Sequence, residues 1–343
     1  MRTQKSMSAA ALWLSTFMVG FAIVTALLLI TLFTPKPYGD LSRLGRVSDT
    51  QFGWQRNPPQ VAPELLKGTP ISEADVVIIG DSFSMTHRWQ SVLAKGGVKV
   101  ATSFWGGYGD AICDDFEDWL RQAGFQGKLV ILQSVERLMA ERLQNSLNCA
   151  KSVKPFEDKP GTFLEPLAER PGFSLNTGAP LTTGWATYFN TRRVMNAPGD
   201  MRADFHIIAR NVTNGCEYFS HRFCNKALFF GEDDDKGELE PKHVEQMRTL
   251  TQRHAGLSIV WMVIPNKTTV YVKLTHSAAF AEQFKNSSLG PDLFAFTQAN
   301  KGSMQDFYWG NDTHLSMHGQ IALGEYMLPL IRQRLAQSAP KSP

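Results

Sequence analysis

An uncharged apolar run near the N-terminus constrains this chain more than any other feature. No charged residue occurs between Ser6 and Pro35, and the stretch from Ala9 to Phe33 is long enough to cross about 30 Å of hydrocarbon as a helix. A cleaved signal peptide would have a shorter apolar region and a small-residue cleavage site, whereas this run continues as LFTPKPYGD. We therefore expect a transmembrane anchor over residues 9–34, with a cleaved signal peptide as the alternative.

The charges around this run predict its orientation. Arg2 and Lys5 precede it, so the positive-inside bias predicts a short cytoplasmic N-terminus at residues 1–8. The chain after about Lys36 would then lie across the membrane, so we expect a single-pass protein of the bacterial inner membrane with its folded domain in the periplasm. Residues 35–70 are rich in Pro, Gly and polar residues without a period, which predicts a linker.

Composition narrows the class of protein. Hydrophobic residues make up 43% and charged residues 20% of the 343 positions, which excludes a disordered or coiled-coil chain. The formal charge of +3 comes from 35 basic and 32 acidic residues with no long basic stripe, so we expect no nucleic-acid partner.

Four cysteines are too few for a disulfide scaffold in a chain of this length, and the lack of a C-x-x-C pair argues against zinc. The expected compartment permits disulfides. Cys216 and Cys224 are near enough in sequence to close a small loop, so we expect that bridge, which leaves Cys113 and Cys149 as the remaining pair. The alternative is that these are buried free thiols.

From Ile71 onward, short apolar runs alternate with segments of helical character, including one helix over residues 83–97. This alternation predicts an α/β domain over residues 71–337, with a mainly parallel sheet covered by helices on both faces. The predicted strands are DVVIIG (75–80), VKVAT (98–102), KLVILQS (128–134) and LSIVWMVIP (257–265).

The alternation is lost between about Leu143 and Glu240, which we interpret as an insertion in this domain. Its acidic run GEDDDKG (231–237) is typical of a solvated loop. Residues 316–337 predict an amphipathic helix that packs on the sheet, followed by a polar tail at 338–343.

Ser82 lies in GDSF, at the carboxyl end of the first predicted strand, where open α/β sheets place their ligand sites. A serine between a strand and a helix can present its hydroxyl and its backbone N–H on one side, as a nucleophile and an oxyanion donor. The alternative is a plain turn in which Ser82 caps the helix.

A nucleophilic serine needs a base, and Asp312-Thr313-His314 stands directly before the last predicted helix. Side chains at i and i+2 of an extended loop project to the same side, so Asp312 can contact an imidazole whose other nitrogen faces a serine. The alternatives are an unremarkable loop aspartate beside a solvated histidine, and His318 as a weaker rival for the base.

A buried strand ending in GDSF and a late D-x-H together resemble the SGNH/GDSL hydrolase superfamily. Further segments are similar to the periplasmic polysaccharide O-acetyltransferases related to the alginate acetylation proteins AlgJ and AlgX. These segments are FWGGYGDA (104–111), VILQSVERLM (130–139), VIPNKTTVY (263–271) and NDTH (311–314).

The chain departs from that family at two points. Its D-x-H follows the serine motif, as in the ordinary SGNH order, whereas in the alginate proteins it comes first, so alginate is not implied as the acceptor. The usual asparagine of the third block is not evident, and Gln133 and Ser134 lie near its expected place.

The resemblance implies an SGNH-hydrolase-like three-layer sandwich with Ser82 as the nucleophile, His314 as general base and acid, and Asp312 as the carboxylate that orients it. The backbone N–H groups of Ser82 and Gly107 would be the oxyanion donors.

The resemblance also places Tyr108 and Arg137 near the substrate. Packing over the Gly-rich loop is the alternative for Tyr108, and an ion pair with a neighbouring acid is the alternative for Arg137.

The implied activity is transfer of an acetyl group, through an acetyl-serine, to hydroxyls of an exported or cell-surface polysaccharide, with no metal and no cofactor. A membrane-bound O-acyltransferase would be the partner that relays the acetyl group. The alternatives are a periplasmic carbohydrate acetylesterase with the same three residues and a non-catalytic polysaccharide-binding scaffold.

Overall fold

A computed structural model describes residues 8–163 and 174–338 of the chain. The expected cytoplasmic N-terminus at 1–8 and the tail at 338–343 lie almost wholly outside the described residues, as do residues 164–173 of the expected insertion.

A parallel sheet of four strands lies at the centre of the protein, with the order β2-β1-β3-β7. All four apolar runs form strands, so the prediction of a mixed α/β chain with a parallel sheet is confirmed. Nearly every strand residue is buried, because helices cover both faces. The strands are β1 (Val76–Gly80), β2 (Val100–Phe104), β3 (Leu129–Val135) and β7 (Ser258–Ile264).

Alternate strand residues enter two apolar clusters, one on each face of the sheet. The helices that contribute to the cluster containing Val77 are α6 (Phe116–Gln122), α7 (Glu136–Leu147), α11 (Pro241–Arg253) and α13 (Ala278–Lys285). Those that contribute to the cluster containing Val76 are α5 (Gln90–Lys95), α12 (Lys267–Tyr271), α14 (Leu293–Lys301) and α15 (Met317–Ser338).

A second, antiparallel sheet lies within the expected insertion, with strands β4 (Met201–Arg202), β5 (Ile207–Asn211) and β6 (Lys226–Phe230). The remaining helices are α1 (Ala9–Phe33), α2 (Asp40–Gly45), α3 (Asp49–Phe52), α4 (Ser82–Met85), α8 (Thr183–Asn196), α9 (Gly215–Tyr218) and α10 (Glu232–Asp235). Short 3₁₀ turns cover Pro63–Leu66, Ile71–Glu73 and Trp105–Tyr108.

Part of the segment expected to be a linker, residues 41–52, packs against the second sheet. Leu41, Val47 and Phe52 are almost completely buried and pack with Ile207 and neighbouring apolar residues of β5 and β6. The expectation of a linker is therefore wrong for residues 41–52. Leu41, Val47 and Phe52 follow no regular period in the sequence, yet they join a cluster of apolar residues from elsewhere in the chain.

Helix α1 has 25 residues and a mean hydropathy of 2.4 over its most apolar part, and its side chains are almost all exposed. It is long and apolar enough to cross a membrane. Its last turn contacts α8, because Thr31 Oγ1 donates to the carbonyl of Leu181 at 2.6 Å and accepts from Gly184 N at 3.1 Å. A Cβ at Gly184 would lie 2.7 Å from the Ile30 carbonyl oxygen, so this close approach requires glycine.

The helix expected over residues 83–97 is two short helices, α4 and α5. The chain turns between them at His87, whose φ of 54° is incompatible with a continuous right-handed helix. The amphipathic helix expected over 316–337 is present as α15.

Both expected disulfides, Cys216–Cys224 and Cys113–Cys149, are confirmed. Disulfides persist in oxidising compartments, so the two bridges agree with an extracytoplasmic domain.

The two bridges differ in the length of chain that they close, 36 residues for Cys113–Cys149 and 8 for Cys216–Cys224. Loop-closure entropy predicts that replacing the first pair by alanine lowers the free energy of unfolding by roughly 4 kcal/mol, and replacing the second by roughly 2.5 kcal/mol. Urea unfolding of the full chain in detergent micelles measures both. A larger loss from the shorter loop would contradict this account.

Candidate active site

Ser82 is the first residue of α4, and only Asp81 separates it from the end of β1. The Asp81 carboxylate accepts from Phe83 N at 3.1 Å, so Asp81 caps this helix, and Ser82 does not. The Ser82 side chain is only half-buried and can be reached from solvent.

Ser82, His314 and Asp312 form one hydrogen-bonded chain across 232 sequence positions. Ser82 Oγ lies 2.8 Å from His314 Nε2, and His314 Nδ1 lies 2.6 Å from Asp312 Oδ1. The His314 side chain is 17% exposed, whereas Asp312 is buried. The structure therefore brings the three expected residues into contact in an order that lets the imidazole take the serine proton. His318, the weaker rival, lies in α15.

The charges around these three residues favour the charged form of the His314 imidazole. Burial opposes the charged form of His314, but the carboxylates of Asp312 and Asp40 outweigh it and raise the His314 pKa above its usual value. Burial likewise opposes the charge of Asp312, yet His314 and the hydrogen bonds that Asp312 accepts hold its pKa well below its usual range. These carboxylates would thus stabilise an imidazolium at His314.

Lys267 fixes the loop that carries His314. This buried ammonium group donates to the carbonyl oxygens of Leu228 at 2.7 Å, Gly310 at 3.0 Å and Asp312 at 3.2 Å. Burial lowers its pKa to about 7, against the opposing effect of nearby carboxylates. Lys267 lies within VIPNKTTVY and had no predicted role; its position just after a buried strand was the available signal.

Asp81 fixes the other side of the site. Its carboxylate accepts from Val135 N at 2.7 Å and from Arg142 Nη1 at 2.9 Å, which ties the serine turn to β3 and α7. Burial opposes its charge, but Arg142 and the hydrogen bonds hold the pKa of Asp81 below its usual value. Neither residue was singled out for this role from the sequence.

Gln133 and Ser134 support the same turn and are fully buried. Gln133 Oε1 accepts from Asp81 N and from Ser84 Oγ, and its amide donates to Asp81 Oδ1 at 2.8 Å. Ser134 Oγ accepts from Arg142 Nη1 at 2.6 Å. Because these polar atoms are hydrogen-bonded to the serine turn and to Arg142, the structure assigns Gln133 and Ser134 the role of holding that turn in place.

The Gly-rich segment forms the 3₁₀ turn at Trp105–Tyr108. No heavy atom lies within 4 Å of the place where a Cβ on Gly107 would be, so that position is open. The Tyr108 hydroxyl is hydrogen-bonded to Ser103 Oγ and accepts from Glu157 N at 2.7 Å, and its ring meets Trp119 edge-on. Tyr108 is therefore held by hydrogen bonds and ring packing within the protein.

Arg137 forms an ion pair with a neighbouring acid, which was the alternative to a place near the substrate. Its Nη1 lies 3.2 Å from Asp233 Oδ1, and its guanidinium stacks over Phe230. Asp233 belongs to the acidic run expected to be a solvated loop, yet it is 2% exposed. That expectation is wrong at this residue, because Arg137 and the Thr268 hydroxyl, which donates at 2.8 Å, satisfy the buried carboxylate.

Asp40, from the segment expected to be a linker, reaches the same histidine. It accepts from Thr313 N at 2.8 Å and from Thr313 Oγ1 at 2.6 Å, and its own N–H donates to Asp312 Oδ2 at 2.9 Å. Its Oδ2 lies 3.6 Å from His314 Nδ1. No motif in the sequence indicated this contact.

Asp40, Asp312 and His314 offer ligand atoms within 4.8 Å of one another, a donor set that can hold a metal ion. These atoms are already engaged within the protein, since both carboxylates accept hydrogen bonds from the loop and the histidine nitrogens face Asp312 and Ser82. The arrangement therefore favours proton transfer over metal binding.

Comparison of the chain with models of known protein families, with curated proteins and with solved structures found no significant match.

The buried pair of Arg142 and Asp81 should be essential to the stability of the site. Arg142→Met leaves the Asp81 carboxylate buried without its cation, so we expect the free energy of unfolding at pH 7 to fall by about 3–5 kcal/mol. The depressed pKa of Asp81 contributes stability above its unfolded value and loses it as the pH falls, so the difference from wild type should shrink toward acidic pH.

Arg248→Met is the matched control, because Arg248 pairs with Glu245 at the exposed surface of α11. Surface pairs contribute at most about 1 kcal/mol. Urea unfolding of both variants in detergent micelles makes the comparison. Equal losses in the two would contradict the role given to the buried pair.

Proposed function

We propose that this protein is an O-acetyltransferase with an SGNH-hydrolase-like fold, which transfers an acetyl group through Ser82 to hydroxyls of an exported or cell-surface polysaccharide. The observation that carries the proposal is the hydrogen-bonded chain from Ser82 through His314 to Asp312 at the carboxyl edge of a parallel sheet.

In the first half-reaction, His314 Nε2 takes the proton of Ser82 Oγ as the oxygen attacks the carbonyl carbon of the acetyl donor. Asp312 holds Nδ1 and stabilises the imidazolium. The imidazolium then gives its proton to the leaving group as the bond to the acyl carbon breaks, and acetyl-Ser82 results.

The negative charge that develops on the carbonyl oxygen needs donors. The backbone N–H of Ser82 is the first of α4 and has no partner within the helix, so it can face that oxygen. The open position at Gly107 allows a substrate to approach the backbone of the neighbouring turn.

In the second half-reaction, a sugar hydroxyl attacks acetyl-Ser82. His314 accepts the hydroxyl proton and returns it to Ser82 Oγ as the acyl bond breaks. Ser82 is half-buried and the His314 side chain is 17% exposed, so a polymeric acceptor could reach both at the surface of the protein.

The position of Asp40 supports a donor in the membrane. Only residues 34–40 separate the end of α1 from this contact with His314, and seven residues span at most about 25 Å. With α1 as an inner-membrane anchor, the nucleophile is held close to the periplasmic face. A membrane-bound O-acyltransferase would then deliver the acetyl group over a short distance.

A carbohydrate acetylesterase is the second candidate. It is favoured by the exposure of Ser82 and His314 to solvent, because water could attack acetyl-Ser82 in place of a sugar.

Acylation of Ser82 is tested by exposing the full chain in detergent micelles to 4-nitrophenyl acetate and measuring its intact mass. We expect one acetyl adduct, absent in Ser82→Ala and retained in the control Ser72→Ala, since Ser72 is an exposed residue outside the site. Asp312→Asn should acylate roughly 10²–10⁴-fold more slowly because the base loses its orientation. An adduct that survives in Ser82→Ala, or none in wild type, would refute the proposal.

Adding an oligosaccharide to the same reaction distinguishes the two candidates. Transfer predicts acetylated sugar at the expense of free acetate, whereas an esterase yields acetate alone at the same rate. Mass analysis of the products gives the ratio.

A further inference from the structure

The segment that follows α1 lies directly against the loop that carries His314. A Cβ at Gly39 would lie 2.3 Å from the carbonyl oxygen of Asn311, so only glycine permits this approach. Three residues later, Ser42 N donates to the same carbonyl at 3.1 Å. The juxtamembrane segment, residues 35–46, is therefore part of the wall of the site.

Asp40 is the residue of this segment that faces the imidazole. Its carboxylate takes two hydrogen bonds from Thr313, and its N–H donates to the Asp312 oxygen that does not contact the ring. Its Oδ2 lies 3.6 Å from His314 Nδ1, the same nitrogen that Asp312 contacts at 2.6 Å. Two carboxylates from distant parts of the chain thus face one ring nitrogen.

We propose that Asp40 is a positioning residue for His314, through which the juxtamembrane segment completes the active site. The inference rests on the proposed function of Ser82 and His314, and it adds a residue from outside the three that the sequence pointed to.

The physical reason lies in what a second carboxylate does there. It keeps the proton on Nδ1, so that Nε2 is free to act as the base toward Ser82, and it adds negative charge beside the imidazolium. By accepting both Thr313 donors, it also fixes the backbone between Asp312 and His314. Burial and the Asp312 charge raise the pKa of Asp40 to about 6, so at neutral pH it is ionised.

Several charged groups act on His314, and Asp40 is one of them. Asp312, Asp40 and Asp81 all favour the imidazolium. Arg142 neutralises Asp81 in part, and Lys267 holds the carbonyl of Asp312. Removing the Asp40 charge leaves the others in place, so the imidazolium becomes less stable without losing its main partner.

Asp40→Asn in the full chain, in detergent micelles, is the direct test. NMR titration of the imidazole, assigned by its loss in His314→Gln, should show a lower His314 pKa than in wild type. With 4-nitrophenyl acetate, the acid limb of kcat/KM should move to lower pH. We expect kcat at its plateau to fall about tenfold, a part of the roughly 10²–10⁴-fold that acid–base catalysis supplies, with little change in KM.

Asp49→Asn is the matched control. Asp49 also holds the loop, since it accepts from Asn311 Nδ2 at 2.7 Å, but its other oxygen binds Tyr38 N and not the histidine. This variant should leave the His314 pKa unchanged. An equal shift in both variants would mean that loop anchoring alone acts, which would overturn the role of Asp40.

Thermal unfolding separates charge from scaffolding. Because the folded-state pKa of Asp40 is raised from 3.8 to about 6, its ionisation lowers stability as the pH rises from about 4 to about 6, and the full cost is present above that. Asp40→Asn should therefore unfold at no lower a temperature than wild type at pH 8, while it is less active. A clear drop in Tm with a constant His314 pKa would indicate a merely structural residue.

Gly39→Ala gives a second test that changes no charge. The added methyl group must push the segment off the Asn311 carbonyl, so the His314 pKa should fall as it does in Asp40→Asn. An unchanged His314 pKa in both variants overturns the inference. Absence of Ser82-dependent turnover in wild type would instead refute the proposed function, and the titration would still decide whether Asp40 acts on His314.

Discussion

Two buried charged groups fix the positions of the two sides of the candidate site. Asp81 ties the serine turn to the end of β3 and to Arg142 in α7, and Lys267 ties the histidine loop to β6. A charge removed from water is tolerated only when hydrogen bonds replace its hydration. The carboxylate and the ammonium group each have at least three such partners, so neither side of the site can shift without exposing a buried charge to an apolar surrounding.

These anchors also connect the site to the segment that follows α1. The histidine loop lies between Lys267 beneath it and the juxtamembrane segment beside it. That segment is itself fixed by Leu41 and Phe52, which pack into the core of the second sheet. Acyl chemistry at Ser82 would thus depend on residues that precede the catalytic domain as the sequence delimits it, and a chain beginning at residue 71 would lack them.

The parts of the fold that the sequence predicts are those determined by local patterns. The strands β1, β2, β3 and β7 were found because each is a continuous apolar run buried on both faces. Ser82 could be placed at the carboxyl edge of the sheet because it comes just after the end of β1, where open α/β sheets hold their ligand sites. The contact between Asp312 and His314 follows from their two-residue spacing in the loop, whereas the approach of His314 to Ser82 joins distant parts of the chain.

What the sequence did not predict depends on long-range contacts. Nothing in the residues around Asp40 indicates a partner at His314, since the contact joins the two ends of the chain. Phe52 and Leu41 are isolated apolar residues without a period, so a Gly- and Pro-containing segment looked like a linker. Asp233 was expected in solvent because no local pattern shows that Arg137 faces it.

Reaction of the full chain with a fluorophosphonate tests the central claim most directly, because such a reagent reports whether a serine is activated by its neighbours. The account predicts a single phosphonylated peptide that contains Ser82, formed in wild type and lost in His314→Gln, which cannot accept the serine proton. Labelling of another residue, or equal labelling of Ser82 with and without His314, would contradict the account.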